Sequence, residues 1–150
     1  MITGFDHTGL VVKDIEKELK FYCEDLGLQV DHDRIVTGPE GGDHTGFPGI
    51  RRRLVFLKNA AGLPMFELIL YINPESPDGY ILDHHQINSY HLCFNVENLQ
   101  GIYKDLVEKG VRFLTPPKLI DRPPMGDQVC LAYAQDPEGN WIEFKEVISG

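Results

Sequence analysis

Residues 7–30, HTGLVVKDIEKELKFYCEDLGLQV, and residues 91–113, HLCFNVENLQGIYKDLVEKGVRF, align with a single one-residue gap. Each opens with a histidine in an apolar, strand-like run, Phe5 to Val12 and Tyr90 to Val96. Each then reaches a capping residue, Asp14 or Asn98, and a helical stripe: Ile15, Leu19, Tyr22 and Leu26, or Leu99, Ile102, Tyr103, Leu106 and Val107. Glycine closes each helix, at Gly27 and Gly110, and a further strand starts at Leu28 to Val30 and at Val111 to Leu114. An internal repeat constrains a fold more than any one element does.

The ends of the two halves correspond as well. Arg53 to Lys58 and Val129 to Ala134 read as strands, each followed by a glycine turn (Gly62, Gly139) and a closing strand, Met65 to Ile72 and Asn140 to Val147. Each half therefore reads β-α-β-β-β, an α+β chain of two tandem modules, about 1–75 and 88–150, forming a single domain over 1–150. Three stretches read as long loops: Gly- and Pro-rich Thr37 to Arg52, polar Asn73 to Ile87, and Pro-rich Lys118 to Asp127, with Asp121 to Gly126 a candidate lid or interface loop.

The formal net charge of −9 argues against a nucleic-acid or anionic-membrane surface. No apolar run approaches the roughly 20 residues of a membrane span, and nothing at the start resembles a signal peptide. Cys23, Cys93 and Cys130 are odd in number and widely spaced, which suits reduced thiols in a cytoplasmic protein.

Strand alternation separates the faces. Thr8, Leu10 and Val12 share one face and His7, Gly9 and Val11 the other; Leu92, Phe94 and Val96 lie opposite His91, Cys93 and Asn95. Phe66, Leu68, Leu70 and Ile72 leave Glu67, Ile69 and Tyr71 on the second face, and Ile142 and Phe144 leave Glu143 there. Glutamate is disfavoured within strands, and burying its charge unpaired costs several kcal/mol. Two imidazoles and two carboxylates at matching repeat positions make His7, Glu67, His91 and Glu143 candidate ligands of one divalent metal.

These residues resemble the vicinal oxygen chelate superfamily, which holds glyoxalase I, methylmalonyl-CoA epimerase, extradiol dioxygenases and bleomycin- or fosfomycin-resistance proteins. The resemblance is carried by FDHTGLVVKDIEKELKFYCEDLGL, by FELILY around Glu67, by YHLCFNVENL around His91 and by DPEGNWIEF near the end. It implies two βαβββ modules in a curled mixed sheet around a metal cleft. It implies His7, Glu67, His91 and Glu143 as ligands of Ni, Co, Zn, Mn or Fe, with Glu143 as the base and Glu67 second. The His/Glu/His/Glu set looks like glyoxalase I: a lyase or isomerase moving a proton next to a chelated carbonyl. A homodimer is expected on the same ground. Extradiol dioxygenase, epimerase and a non-catalytic, resistance-type binder are the alternatives. The stretch after Glu67, Tyr71-Ile72-Asn73-Pro74, lacks the Asn-Trp pair of small glyoxalases near their glutathione site. The run Gly46 to Arg53 lacks the second acidic group of the epimerases. Arg51, Arg52 and Arg53 stand out in an acidic chain, and Arg51, Arg53 and Tyr71 are candidate contacts for a small anionic substrate.

Overall fold

The computed structural model describes residues 1–122 and 127–148. The chain divides into two compact units, Met1–Gly79 and Tyr80–Gly150. The first unit runs β1 (Gly9–Val12), α1 (Ile15–Leu19), β2 (Gln29–Thr37), β3 (Arg51–Lys58) and β4 (Pro64–Asn73). The second runs β5 (His91–Asn95), α2 (Leu99–Glu108), β6 (Lys118–Arg122), β7 (Asp127–Gln135) and β8 (Trp141–Ile148). Each builds its own open four-stranded mixed sheet, in the orders β1-β4-β3-β2 and β5-β8-β7-β6. The first and last strands of each module lie parallel, β1 on β4 and β5 on β8, and the other pairs are antiparallel. The expected βαβββ pattern is present twice, each module with its own four-stranded mixed sheet.

Local chemistry explains the helices. The Asp14 side chain accepts the Lys17 amide at 3.1 Å, and the Asn98 side chain accepts that of Gly101 at 3.2 Å. A carboxylate from β8, Glu146, also accepts the amides of Asn98 and Leu99 at 2.9 and 3.0 Å, so the start of α2 is tied to its own sheet. Gly27 and Gly110 take φ of +76° and +86°, the left-handed conformation that ends a helix and that glycine adopts without a Cβ penalty.

Several expected boundaries move. From Lys20 to Asp25 the first helix widens to π geometry, with the Leu26 amide bonding to the Phe21 carbonyl at 3.0 Å. The buried side chains are Ile15 and Glu18 in the α-helical turn and Phe21 and Tyr22 in the widened one, where the extra residue per turn carries the stripe away from Leu26. The expected strand from Phe5 shrinks to Gly9–Val12, which leaves His7 just ahead of β1. Strand β2 runs on from its expected start to Thr37, the first residue of the expected loop; as an almost wholly exposed edge strand it carries no burial alternation to read. The strand expected at Val111 to Leu114 is a single bridge, Phe113 to Ala134. Pro116 and Pro117 cannot donate to a ladder, and the third strand starts after them at Lys118, where a loop was expected. The remainder of the suggested lid, residues 123–126, lies outside the described residues.

One face of each sheet is dry. In the first unit Leu10, Val12, Val55, Leu57, Phe66 and Leu68 pack with Ile15, Phe21 and Tyr22, and Tyr22 meets Phe66 edge-on at 4.8 Å. In the second, Ala132, Ala134, Ile142 and Phe144 pack with Leu99 and Leu106. Fully burying a side chain such as Leu68 or Phe144 contributes about 1.5–3 kcal/mol. The helices thus fix which face of each sheet is left for chemistry.

Candidate metal centre

Glu67 and Glu143 stand on the faces turned from the helices. Across β3–β4 Glu67 is in register with Phe56, and across β7–β8 Glu143 is in register with Tyr133. The parallel neighbours also correspond: Gly9 beside Glu67, Cys93 beside Glu143. His7 Nε2 lies 3.3 Å from Glu67 Oε2, and His91 Nε2 lies 3.1 Å from Glu143 Oε2. Both imidazoles rest edge-on against the facing aromatic ring, His7 on Phe56 at 5.2 Å and His91 on Tyr133 at 5.1 Å. The four expected ligands are brought together as two His–Glu–aromatic pairs, one in each unit. Among the described residues no three His, Cys, Asp or Glu side chains gather as a ready-made metal cluster.

The first pair is the more buried: Glu67 is 7% exposed. Its backbone amide bonds to the Thr8 carbonyl at 2.9 Å, which extends the pairing of β4 past the start of β1 to the residue following His7. Gly9 keeps the approach clear, since a Cβ there would stand 2.9 Å from Ile69 Cδ1 and 3.6 Å from Glu67 Oε2. Asp6 bonds His7 Nδ1, so with the proton on Nδ1 the Nε2 lone pair is aimed at the glutamate side. The Asp6 carboxylate is the main cause, ahead of Glu67, of a His7 pKa raised above its ordinary value despite partial burial. His32 stacks on the other part of the Phe56 environment at 4.4 Å with an interplanar angle of 16°.

In the second unit the exposed Cys93 thiol hydrogen-bonds the Glu143 carboxylate, and partial desolvation together with that carboxylate pushes the thiol up to about 11. Burial, then Glu143, also raises Tyr133. The polar loop before β5 lays His84 near Tyr133 and Trp141, at ring distances of 6.0 and 5.6 Å. The Trp141 indole N–H donates to the Leu82 carbonyl at 2.6 Å and fastens that loop. Asp6, His32, Phe56, Cys93, His84 and Tyr133 were not assigned to the site from the sequence. Their proximity comes from cross-strand register and loop path, although Asp6 is marked by adjacency to His7.

The expected substrate contacts divide by face. Arg53 turns to the helix side, donating to Asp33 at 2.7 to 3.2 Å and to Glu16. Arg51 is exposed. Tyr71 shares the face of Glu67 and is in register with Arg52, whose guanidinium carbon stands 5.9 Å from the Tyr71 ring centroid. Arg52 stands four positions before Phe56 on β3, so Arg52, not its neighbours, lies on the Glu67 face.

The donor chemistry of the two pairs fits a divalent cation: each supplies a borderline nitrogen and a hard oxygen, and a buried carboxylate is disfavoured without positive charge.

Comparison with known proteins defines the class. Residues 4–144 match the model of the Glyoxalase/Bleomycin resistance protein/Dioxygenase superfamily. The chain belongs to this family. It is 30% identical over 153 aligned positions to a lactoylglutathione lyase of Schizosaccharomyces pombe, covering 93% of this chain and 46% of that protein, so the chain spans about half the length of this relative. It is 26% identical to the mitochondrial methylmalonyl-CoA epimerase of Mus musculus, over 94% of this chain and 71% of that one. A glyoxalase family protein from Bacillus cereus shares the fold at a TM-score of 0.82 and 18% identity, covering 99% of this chain and 97% of the other. No helix among the described residues is long and apolar enough to cross a membrane.

Proposed function

We propose that the chain is a divalent-metal-dependent lyase or isomerase of the glyoxalase type, moving a proton next to a carbonyl of a small, anionic substrate. The observation that carries this reading is the matched pair of half-sites, each with a His Nε2 at 3.1–3.3 Å from a strand carboxylate. His7, Glu67, His91 and Glu143 together are the proposed ligands, for Ni, Co, Zn, Mn or Fe. When bound, such a cation supplies Lewis-acid polarisation of a carbonyl oxygen and acidifies the neighbouring C–H.

The rest falls to the chain's own groups. Glu143 Oε2 is the proposed base that takes and returns the proton, with Glu67 in second place. His91 and Cys93 hold the Glu143 carboxylate from two sides, which restricts its orientation. The aromatic rings of Phe56 and Tyr133 pack edge-on against the two imidazoles and restrict their orientation. A cytoplasmic homodimer belongs to the same reading; three cysteines outside any disulfide suit a reducing compartment.

The match to methylmalonyl-CoA epimerase favours a second reading, stereochemical inversion next to a thioester carbonyl. Both readings share the proton transfer. The experiment is metal analysis of protein purified without chelators, followed by solvent deuterium exchange into α-keto thiohemiacetals and acyl-CoA esters. Stoichiometric metal and metal-dependent exchange are expected, with Glu143→Gln losing exchange more completely than metal. Absence of metal, with no gain on adding Ni, Co, Mn or Zn, overturns the proposal.

A further inference from the structure

Arg52 is a buried cation on the chemical face of the first sheet. Its side chain is only 10% exposed. Of its five N–H donors, Nη2 reaches Asp43 Oδ2 at 3.1 Å, while Nε is buried with no hydrogen-bond partner. A guanidinium left partly unsatisfied in a dry environment is costly, and a residue serving only to hold a loop has no need of that cost. Asp43 is not dedicated to Arg52 either. Its Oδ1 accepts from the Thr45 amide at 2.8 Å and from the Thr45 hydroxyl, and His44 Nδ1 lies 3.8 Å from Oδ2. Asp43 is thus held in its own turn and presents one oxygen to the arginine.

That turn lies within residues 38–50, a connection with Gly42, Gly46 and Gly49 at positive φ. The loop rests on Tyr71 through Phe47, at 6.4 Å between ring centroids, and Phe47 stays 44% exposed. Asn73 Nδ2 holds its far end by the Gly49 carbonyl at 3.1 Å. The loop therefore covers a cation whose remaining donor edge faces no protein acceptor.

We infer that Arg52, with Tyr71 behind it, is the receptor for a carboxylate at the distal end of the substrate, and that Asp43 occupies this receptor until the 38–50 loop lifts. The inference rests on the proposed metal-dependent reading, because it places the substrate's other end at the Glu67 half-site. Arg52 and Phe56 are four residues apart on β3, and Phe56 is in register with Glu67. At roughly 3.3 Å per strand residue the carboxylate sits roughly 13 Å along the strand from the ligand position. The substrate class is then an extended molecule, a reactive carbonyl at one end and a carboxylate at the other, not a compact keto acid.

The test uses ω-carboxyalkyl hydroxamates of increasing chain length, their methyl esters, and acetohydroxamate, titrated calorimetrically into Co(II)-loaded and metal-free protein. Acetohydroxamate binding that requires Co(II) reads the metal proposal by itself. The acid-to-ester affinity ratio reads Arg52, and it is measured in both forms of the protein. A charge-assisted pair predicts an acid at least about tenfold tighter than its ester at the best chain length. The ratio should fall to near one in Arg52→Gln and survive in part in Arg52→Lys. It should rise several-fold in Asp43→Asn, which keeps an acceptor for Thr45 but removes the competing charge. Circular dichroism of each variant checks the fold, and Asp43→Asn carries the test if Arg52→Gln does not fold. A ratio near one in the unmodified protein, a ratio unaltered by Arg52→Gln, or no change in Asp43→Asn overturns the inference, whatever acetohydroxamate reports about the metal.

Discussion

Cys93 is the in-register neighbour of Glu143 across the parallel β5–β8 pair, where Gly9 is the neighbour of Glu67 across β1–β4. The duplication has kept the backbone relationship and changed the side chain. A thiol beside a carboxylate becomes a donor to it and resists ionisation. Partial desolvation and Glu143 together hold Cys93 at about 11 against an ordinary value near 9. Alkylation by iodoacetamide at pH 8 should therefore be slow and should accelerate as pH rises toward 11. Glu143→Gln removes the adjacent charge and should shift that profile to lower pH. Mass spectrometry of the Cys93 peptide across pH gives the profile, and rapid alkylation at pH 8 contradicts the expectation.

Asp6 and His7 give a second test. The carboxylate holds the Nδ1 proton and so aims Nε2 at Glu67. Partners of this kind typically change metal affinity by roughly 10–100-fold. Asp6 is nearly fully exposed, so Asp6→Asn should weaken metal binding by about tenfold, the low end of that range. Chelator competition measures it, and an unchanged affinity would remove Asp6 from the site.

The sites of success and failure in reading the sequence have one physical origin. Period-two alternation is a property of a single strand, so the dry faces of β4 and β8 and the placement of Glu67 and Glu143 opposite them were legible. Contacts across strands were not. The neighbours Phe56, Tyr133 and Cys93 depend on register, which a run of residues does not carry by itself. Arg52 was hidden for the same reason: only its register with Tyr71, next to a bulge at Arg51/Arg52, assigns it to the Glu67 face. The π turn at Lys20–Asp25 and the exposed edge strand β2 lack any pattern in apolar spacing. The repeat itself was legible because both halves need the same cap, helix and glycine stop.

Arg53 and Asp33 give a pH test on the opposite side of the first sheet. Hydrogen bonds from Arg53 hold the Asp33 carboxyl below its usual range. A carboxylate depressed in the folded state contributes stability above its unfolded pKa, and that contribution is lost as pH falls through the folded value. Asp33→Asn should therefore be less stable than the unmodified protein at pH 7, by less than about 1 kcal/mol because the pair is partly solvated. The difference should narrow as pH falls below about 4 and vanish in stronger acid. Urea titrations at several pH values measure the gap; a gap that widens in acid contradicts the assignment.

Glu67 and Leu68 are successive residues of β4 with opposite demands. Leu68 is fully buried on the helix side, and Leu68→Ala should cost about 2–5 kcal/mol whether or not metal is present. Glu67 is almost as buried, and its pairing with His7 Nε2 at 3.3 Å offsets the desolvation cost of the carboxylate only in part. In metal-free protein Glu67→Gln removes that desolvation cost and should leave stability unchanged or raise it by up to about 2 kcal/mol. With metal at roughly 100 times its dissociation constant, the unmodified protein should gain about 2.7 kcal/mol and Glu67→Gln much less. Thermal unfolding with and without added metal separates the two residues. If Glu67→Gln destabilised the metal-free chain as Leu68→Ala does, the carboxylate would be serving the fold, and the claim that the fold tolerates it for the sake of a ligand would fail.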